Sequence, residues 1–230
     1  MEDLKQIESF LLHEIGHVFI AITHSTYYPK IQIDQIVIRN FGCQNLSWCG
    51  MVNYSPNEEF VYDKVLQDNR RISYNFISLF SGCLFQSLLN EEGFIHDCFA
   101  FKSQIGYKDF KSFWDLEYLI RSKFNHKLDK NQLQNSLKGI VQTSYQTNFL
   151  KKKKFITELL ILIKEEARII YDDFLEKKVK KKYHYTYQNK RLSELIERIN
   201  ILIVNNHFII FIEGIADSIE RELNNLMFES

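Results

Sequence analysis

The chain has 230 residues, of which 45% are hydrophobic, and its 29 basic residues balance its 29 acidic residues. A formal net charge of zero excludes a global electrostatic attraction to nucleic acid or to an anionic membrane, so such a partner would need a local charged patch. Two prolines and eight glycines are few helix breakers for this length, which predicts a mainly α-helical chain with enough residues for one sizeable domain.

The first predicted element is a helix over residues 4–23, because apolar residues recur there at three- and four-residue steps and no proline interrupts them. Its residues 13–17 read HEIGH, an HExxH pattern. Residues four apart on a helix are separated by about 40° and about 6 Å, so the imidazoles of His13 and His17 face the same way. Each can give one nitrogen to a Zn²⁺ ion, and Glu14 would then act as the base for the zinc-bound water rather than as a ligand. The alternative is a chance pattern on a solvated helix face, but the apolar flanks of the motif favour a metal site.

Strand candidates follow the motif helix. One or two strands are predicted over residues 30–38, and another over residues 48–54, because β-branched residues alternate or cluster there. Together they predict a small antiparallel sheet beside the motif helix. In zinc peptidases such a strand edge holds an extended substrate by backbone hydrogen bonds, whereas a purely structural hairpin would show the same pattern.

A second long helix, either continuous or interrupted, is predicted from a cap at Ser55 or Asn57 to residue 89. Its apolar second half contains Ser-Gly-Cys at positions 81–83, three small side chains that permit another helix to approach closely. Because the motif helix carries Gly16, we expect these two helices to be neighbours.

This order of elements resembles the peptidase module of FtsH-type AAA zinc metalloproteases and their small stand-alone relatives. The resemblance is carried by the HExxH helix, by the short strands with Gly50, and by the apolar helix with its small-residue run. The family usually continues that run with Ala-Glu, where this chain has Phe85-Gln86. The resemblance implies an α+β, mainly helical, zincin-like metallopeptidase domain over residues 1–125 that binds Zn²⁺ through His13 and His17.

In that family the third zinc ligand is an Asp near the start of the next helix, a few residues after a Gly. Asp109 follows Gly106 and is our first choice, since apolar residues come one, four and seven positions after it. Asp115 lies in an Asp-Leu-Glu sequence similar to the family's, but its downstream apolar phasing is poorer. For either residue the alternative is an ordinary helix cap or surface carboxylate.

Other classes of third ligand fit less well. A metzincin pattern fails, because its later positions hold Ile20 and Thr23. His24 lies on the same helix face but about 10 Å beyond His17, so we expect a surface or helix-end histidine. A gluzincin-like site would need a glutamate, and four are candidates: Glu58, Glu59, Glu91 and Glu92. A site of the ImmA/IrrE regulatory metalloprotease kind, in which HEIGH-like motifs are also common, is the runner-up among zinc peptidases, but the Glu followed by small and aromatic positions that it expects is not found here.

Residues 126–230 predict a helical C-terminal region of unknown role. A strong helix is expected over residues 155–175, and one or two helices over residues 192–226. Between them, residues 177–187 join a lysine run to three tyrosines, from Lys177 to Tyr187. Such a run could contact nucleic acid or acidic lipid, but a solvated helix end or mobile loop is the more common reason for it.

Two further expectations concern the environment of the chain. No stretch approaches about 20 uninterrupted apolar residues, and acidic residues precede the motif helix, so we expect neither a membrane span nor a signal peptide and a cytoplasmic location. For such a chain we expect reduced thiols at all four cysteines, which are Cys43, Cys49, Cys83 and Cys98.

The predicted activity is that of a zinc metalloendopeptidase acting on protein or peptide substrates. FtsH-type proteases carry an ATPase, but this sequence has no GxxxxGK[ST] loop. We therefore expect cleavage of flexible or unfolded segments, or cooperation with a separate ATPase partner, and the ring assemblies of the family leave a homo-oligomer open. The main alternative is a catalytically silent zincin-fold interaction protein; nucleic-acid binding is the weakest hypothesis.

Overall fold

The computed structural model describes residues 2–27, 32–40, 48–55, 68–89, 107–123, 129–177 and 182–228. Within these ranges the helices are α1 (Glu2–Tyr27), α2 (Asn69–Gln86), α3 (Tyr107–Lys123), α4 (Lys130–Ser144), α5 (Lys153–Lys177), α6 (Asn189–Asn205) and α7 (Phe208–Phe228). The strands are β1 (Gln32–Asn40), β2 (Trp48–Ser55) and β3 (Tyr183–Tyr187). A short 3₁₀ helix (Ser87–Leu89) continues α2, and a π-helical turn (Tyr145–Phe149) follows α4. The predicted mainly helical α+β fold with a small antiparallel sheet is confirmed.

The second half of the predicted long helix is α2, which begins at Asn69. Ser55 is the last residue of β2, and the stretch from 56 to 67, with Asn57, lies outside the described residues. Asp68 caps α2: its carboxylate accepts hydrogen bonds from the backbone N–H groups of Arg70 and Arg71. The same device starts α4, where the Asp129 carboxylate accepts from a backbone N–H three residues later.

The sheet has the order β2-β1-β3, and β1 pairs antiparallel with both neighbours. β3 corrects the expectation of a solvated helix end or loop between Lys177 and Tyr187. Its tyrosines at 183 and 187 are buried. Tyrosines at every second position are typical of a strand with one buried face, but the preceding lysines favoured a solvated segment in the sequence. The Tyr183 hydroxyl donates to the Ile170 carbonyl over 3.1 Å, and the Tyr187 hydroxyl donates to Glu166 over 3.2 Å.

α1 lies at the centre of the fold and contacts α2, β2 and α5. The ring of Phe19 on α1 lies 5.1 Å from that of Phe85, 5.5 Å from that of Phe155 and 5.1 Å from that of Phe208. These rings come from both sides of the predicted domain boundary at residue 125. That boundary stays a prediction, but the described residues on its two sides share one hydrophobic core and one sheet.

The structure bears on two predictions about the environment of the chain, the absence of a membrane span and the reduced state of the cysteines. Among the described residues, the helical stretch Asn69–Leu89 is long and apolar enough to cross a membrane, and α6 and α7 pass that test only as a pair bent by 75°. The first of these is largely buried in the protein, as core helices that pass the test commonly are. Cys83 is disulfide-bonded, so the expectation of reduced thiols is wrong there, whereas Cys49 is free.

Candidate metal centre

Three ligand-type atoms from α1 and α3 converge on one point. His13 Nε2 lies 3.0 Å from Asp109 Oδ2, and His17 Nε2 lies 3.3 Å from the same oxygen. The two Nε2 atoms are 3.3 Å apart. Both histidines are buried, whereas the Asp109 side chain is 18% exposed, so solvent reaches the cluster at Asp109. Within the described part of the chain this is the one group of three His, Cys, Asp or Glu side chains close enough to hold a metal ion.

The other nitrogen of each imidazole is fixed by an oxygen acceptor. His17 Nδ1 donates to the Ser78 carbonyl over 2.9 Å, and His13 Nδ1 donates to Gln86 Oε1 over 3.2 Å. The amide of Gln86 is itself oriented, because its Nε2 donates to Ser9 Oγ over 2.6 Å. With Nδ1 carrying the proton, the lone pair of each neutral imidazole is on Nε2, which faces Asp109.

Two glycines permit the close packing of α1 on α2. A Cβ atom at Gly16 would lie 2.5 Å from the Ser81 carbonyl oxygen, so the helices approach as their small residues predict. A Cβ atom at Gly82 would lie 2.5 Å from His13 Nε2 and 2.7 Å from His17 Nε2. Both imidazoles therefore lie directly on the backbone of α2, which forms the floor of the site.

Glu14 is buried on α1 and lies against β2. A Cβ atom at Gly50 would lie 2.6 Å from Glu14 Oε1, so only glycine leaves room for this carboxylate in its present position. Gly50 pairs with Ile38 on β1 through one edge of β2. No described strand pairs with the other edge of β2, the strand against which Glu14 lies.

Asp109 lies in the first turn of α3, and the phasing predicted for it is present. Phe110, Phe113 and Leu116 are buried, which turns the Asp109 side of the helix towards α1. Asp115 is exposed and does not join the cluster. The geometry thus favours Asp109 over Asp115, although its role as a metal ligand stays a prediction.

The charges in the cluster compensate one another without a metal. Burial lowers the pKa of His17, but the charge of Asp109, its hydrogen bond to His17, and the charge of Glu14 outweigh burial and raise that pKa to about 9. Burial raises the pKa of Asp109, but the two histidines outweigh it and hold the pKa well below its usual range. The metal-free site therefore contains a carboxylate next to an imidazolium, and a bound cation would take the place of the imidazolium proton.

The remaining predicted residues lie elsewhere. His24 is outside the cluster and in the last turn of α1, so the helix-end alternative is confirmed. It is buried and stacked on Tyr74 at a ring distance of 4.8 Å, so a surface position is wrong. The glutamates at 58, 59, 91 and 92 all lie outside the described residues.

The sequence analysis did not identify three groups that surround the metal cluster. Gln86 enters the sequence argument only as a departure from the family pattern, yet it holds His13. The acceptor for His17 is a backbone carbonyl, which no sequence pattern reveals. Tyr54 is on the same face of β2 as Gly50, and partial burial together with the negative charges of Glu14 and Asp109 raises the pKa of its phenol. A tyrosine at even spacing from the strand glycine is the signal that could have found it.

Comparison with protein-family models, with characterised proteins and with solved structures finds no match to this chain. The resemblance to the FtsH-type peptidase module thus rests on the residues and spacings given above.

Proposed function

We propose that this protein is a zinc-dependent metallopeptidase with a zincin-like site, in which His13, His17 and Asp109 hold the metal and Glu14 is the general base. The observation that carries the proposal is the convergence of two Nε2 atoms and one carboxylate oxygen within 3.0–3.3 Å of one another. Ligand atoms at about 2.0–2.1 Å from a tetrahedral Zn²⁺ are about 3.3 Å apart, so the donor set fits that ion.

A bound Zn²⁺ would supply Lewis acidity, which polarises a substrate carbonyl and favours ionisation of a water molecule. The protein groups supply the rest. The Gln86 and Ser78 oxygens keep both imidazoles in the tautomer that presents Nε2. Glu14 would accept a proton from the attacking water and deliver it to the leaving amine, and Gly50 leaves the space that this carboxylate occupies.

The substrate would lie along the open edge of β2. An extended peptide can add to a strand edge through backbone hydrogen bonds, which bring its carbonyl groups past Glu14 at regular spacing. This mode needs a substrate without stable structure of its own. We therefore propose flexible or unfolded protein segments as substrates, with or without a separate ATPase, and a cytoplasmic location.

The test is metal content and turnover in the same samples. Zinc analysis of the purified chain should give about one zinc per chain, and His17→Ala should lose it. Asp109→Asn should lower zinc occupancy, while the exposed Asp115→Asn is the matched control and should leave it unchanged. Glu14→Gln should keep the zinc but lower cleavage of an unfolded casein substrate by about a hundredfold or more.

The outcomes separate the proposals. Zinc that is present but produces no cleavage of unfolded proteins or peptide libraries would favour a catalytically silent zincin-fold interaction protein. Absence of zinc after reconstitution would contradict both the metallopeptidase and the silent zinc-binding protein.

A further inference from the structure

A groove away from the proposed metal centre lies between the end of α4 and the first half of α7. Its volume is about 710 Å³, which is within the range of small-molecule sites. One wall is a stripe of α7 that begins just before the helix at His207 and includes Ile210 and Gly214. The other wall comes from the π-helical turn and from Lys151 and Lys152. None of the cluster residues lines this groove.

The groove combines an apolar wall with a positive end. Ile210 is 70% exposed although it is on a helix whose other large apolar residues are mostly covered. Lys151 is exposed, and the Lys152 ammonium donates to the Asn206 carbonyl over 3.1 Å. Neither lysine forms an ion pair with a carboxylate of the described chain. Glu158 accepts from the Asn206 amide over 3.2 Å and lies 3.8 Å from the Lys154 ammonium.

The backbone at this end adds to the positive charge. α5 begins directly after Lys152 and α7 directly after His207, so the positive ends of two helix dipoles lie beside these side chains. His207 has a φ of 51°, a left-handed conformation that costs free energy for a residue other than glycine. The opposite wall is a π-helical turn, and such turns are frequent at functional sites.

Gly214 leaves the middle of the groove open. A Cβ atom there would meet no atom within 4 Å. No atom of the described chain fills this space, so an alkyl chain can lie against the α7 backbone at this position.

We propose that this groove binds an amphiphile with one anionic head group and one alkyl chain. The carboxylate or phosphate head would contact Lys151, Lys152 and His207, and the chain would lie over Ile210 and Gly214. Ten residues line the groove, whereas a standard protein interface uses about 20–30 residues on each side, which favours a small ligand over a protein partner. The proposal does not depend on the proposed peptidase activity.

The test is calorimetric titration of the whole chain with three probes that share a twelve-carbon chain. Dodecanoate and dodecyl phosphate, both below their micelle concentrations, should bind at one site, and their relative affinities distinguish a carboxylate from a phosphate head. Dodecyltrimethylammonium has the same chain with the opposite charge and should bind at least about tenfold more weakly.

Variants locate the binding. Gly214→Leu should fill the groove and abolish binding, while Gly139→Leu is the matched control, because Gly139 on α4 is equally open but does not line the groove. The Lys151→Gln/Lys152→Gln double variant should weaken dodecanoate at least about tenfold and should not weaken the cationic probe, since it removes charges that repel that probe. Equal binding of all three probes, unchanged binding in a folded Gly214→Leu chain, or no binding of either anion at millimolar concentration would overturn the proposal.

Discussion

Gly82 on α2 lies directly beneath His13 on α1, so close that a Cβ atom at position 82 would be 2.5 Å from His13 Nε2. A carbon and a nitrogen atom that are not bonded do not approach this closely. The clashing atom would be a Cβ fixed to the backbone, which cannot rotate away. The position of the two imidazoles is therefore set by the absence of a side chain on the neighbouring helix.

Gly82→Ala should disrupt the metal centre more than the fold. The added methyl group must displace His13 or His17, so zinc affinity should fall by about tenfold or more, as it does when groups that position metal ligands are changed. Zinc titration against a fluorescent chelator measures this. Gly139→Ala, which meets no atom within 4 Å, is the control and should keep zinc affinity while raising stability by about 0.5–1 kcal/mol. Unchanged zinc affinity in Gly82→Ala would contradict the position of the imidazoles on α2.

Gly50→Ala should separate turnover from metal binding. The three atoms nearest to its methyl group would all belong to Glu14, so the carboxylate should be displaced and zinc content should remain while cleavage falls towards the level of Glu14→Gln. The measurement is zinc content and initial rate in one preparation. Met51→Ala changes the next residue, whose side chain points to the other face of β2, and should retain activity. Full activity in Gly50→Ala would remove Glu14 from its proposed role.

The sequence predicts the parts of this structure that depend on local periodicity. The motif helix, the two first strands and the apolar phasing after Asp109 are all visible in windows of a few residues, and the structure contains each of them. β3 is different, since its pairing with β1 joins residues about 150 positions apart, and the flanking lysines indicate solvent rather than a sheet. The contact of Gln86 with His13 and the burial of His24 against Tyr74 likewise depend on tertiary structure, because each joins side chains of two different helices.

Gln86 should control zinc affinity through His13. Gln86→Leu removes the acceptor for His13 Nδ1 and should lower zinc affinity by about 10- to 100-fold, the range for groups that orient metal-bound histidines. Ser9→Ala removes only the outer hydrogen bond to the Gln86 amide, so its effect should be smaller. Equal affinity in Gln86→Leu and the unmodified chain would mean that packing alone orients His13.

His24 should make the fold sensitive to acid. Burial, aided by the charge of Arg71 and opposed by that of Asp68, lowers the pKa of His24 from 6.5 to about 4. The unfolded chain therefore binds a proton near pH 6.5 that the folded chain does not bind until about pH 4. The free energy of unfolding should consequently fall as the pH decreases through this window, by up to about 3 kcal/mol from this residue.

His24→Phe is the variant that tests this, because it keeps a flat ring against Tyr74 and removes the titration. Urea unfolding at about pH 7 and about pH 4.5, with a chelator present throughout, gives the two free energies for each chain. The unmodified chain should lose about 2 kcal/mol more than the variant between these pH values, and the subtraction cancels the contribution of the metal-free cluster. The same loss in both chains would show that His24 is not buried in its neutral form.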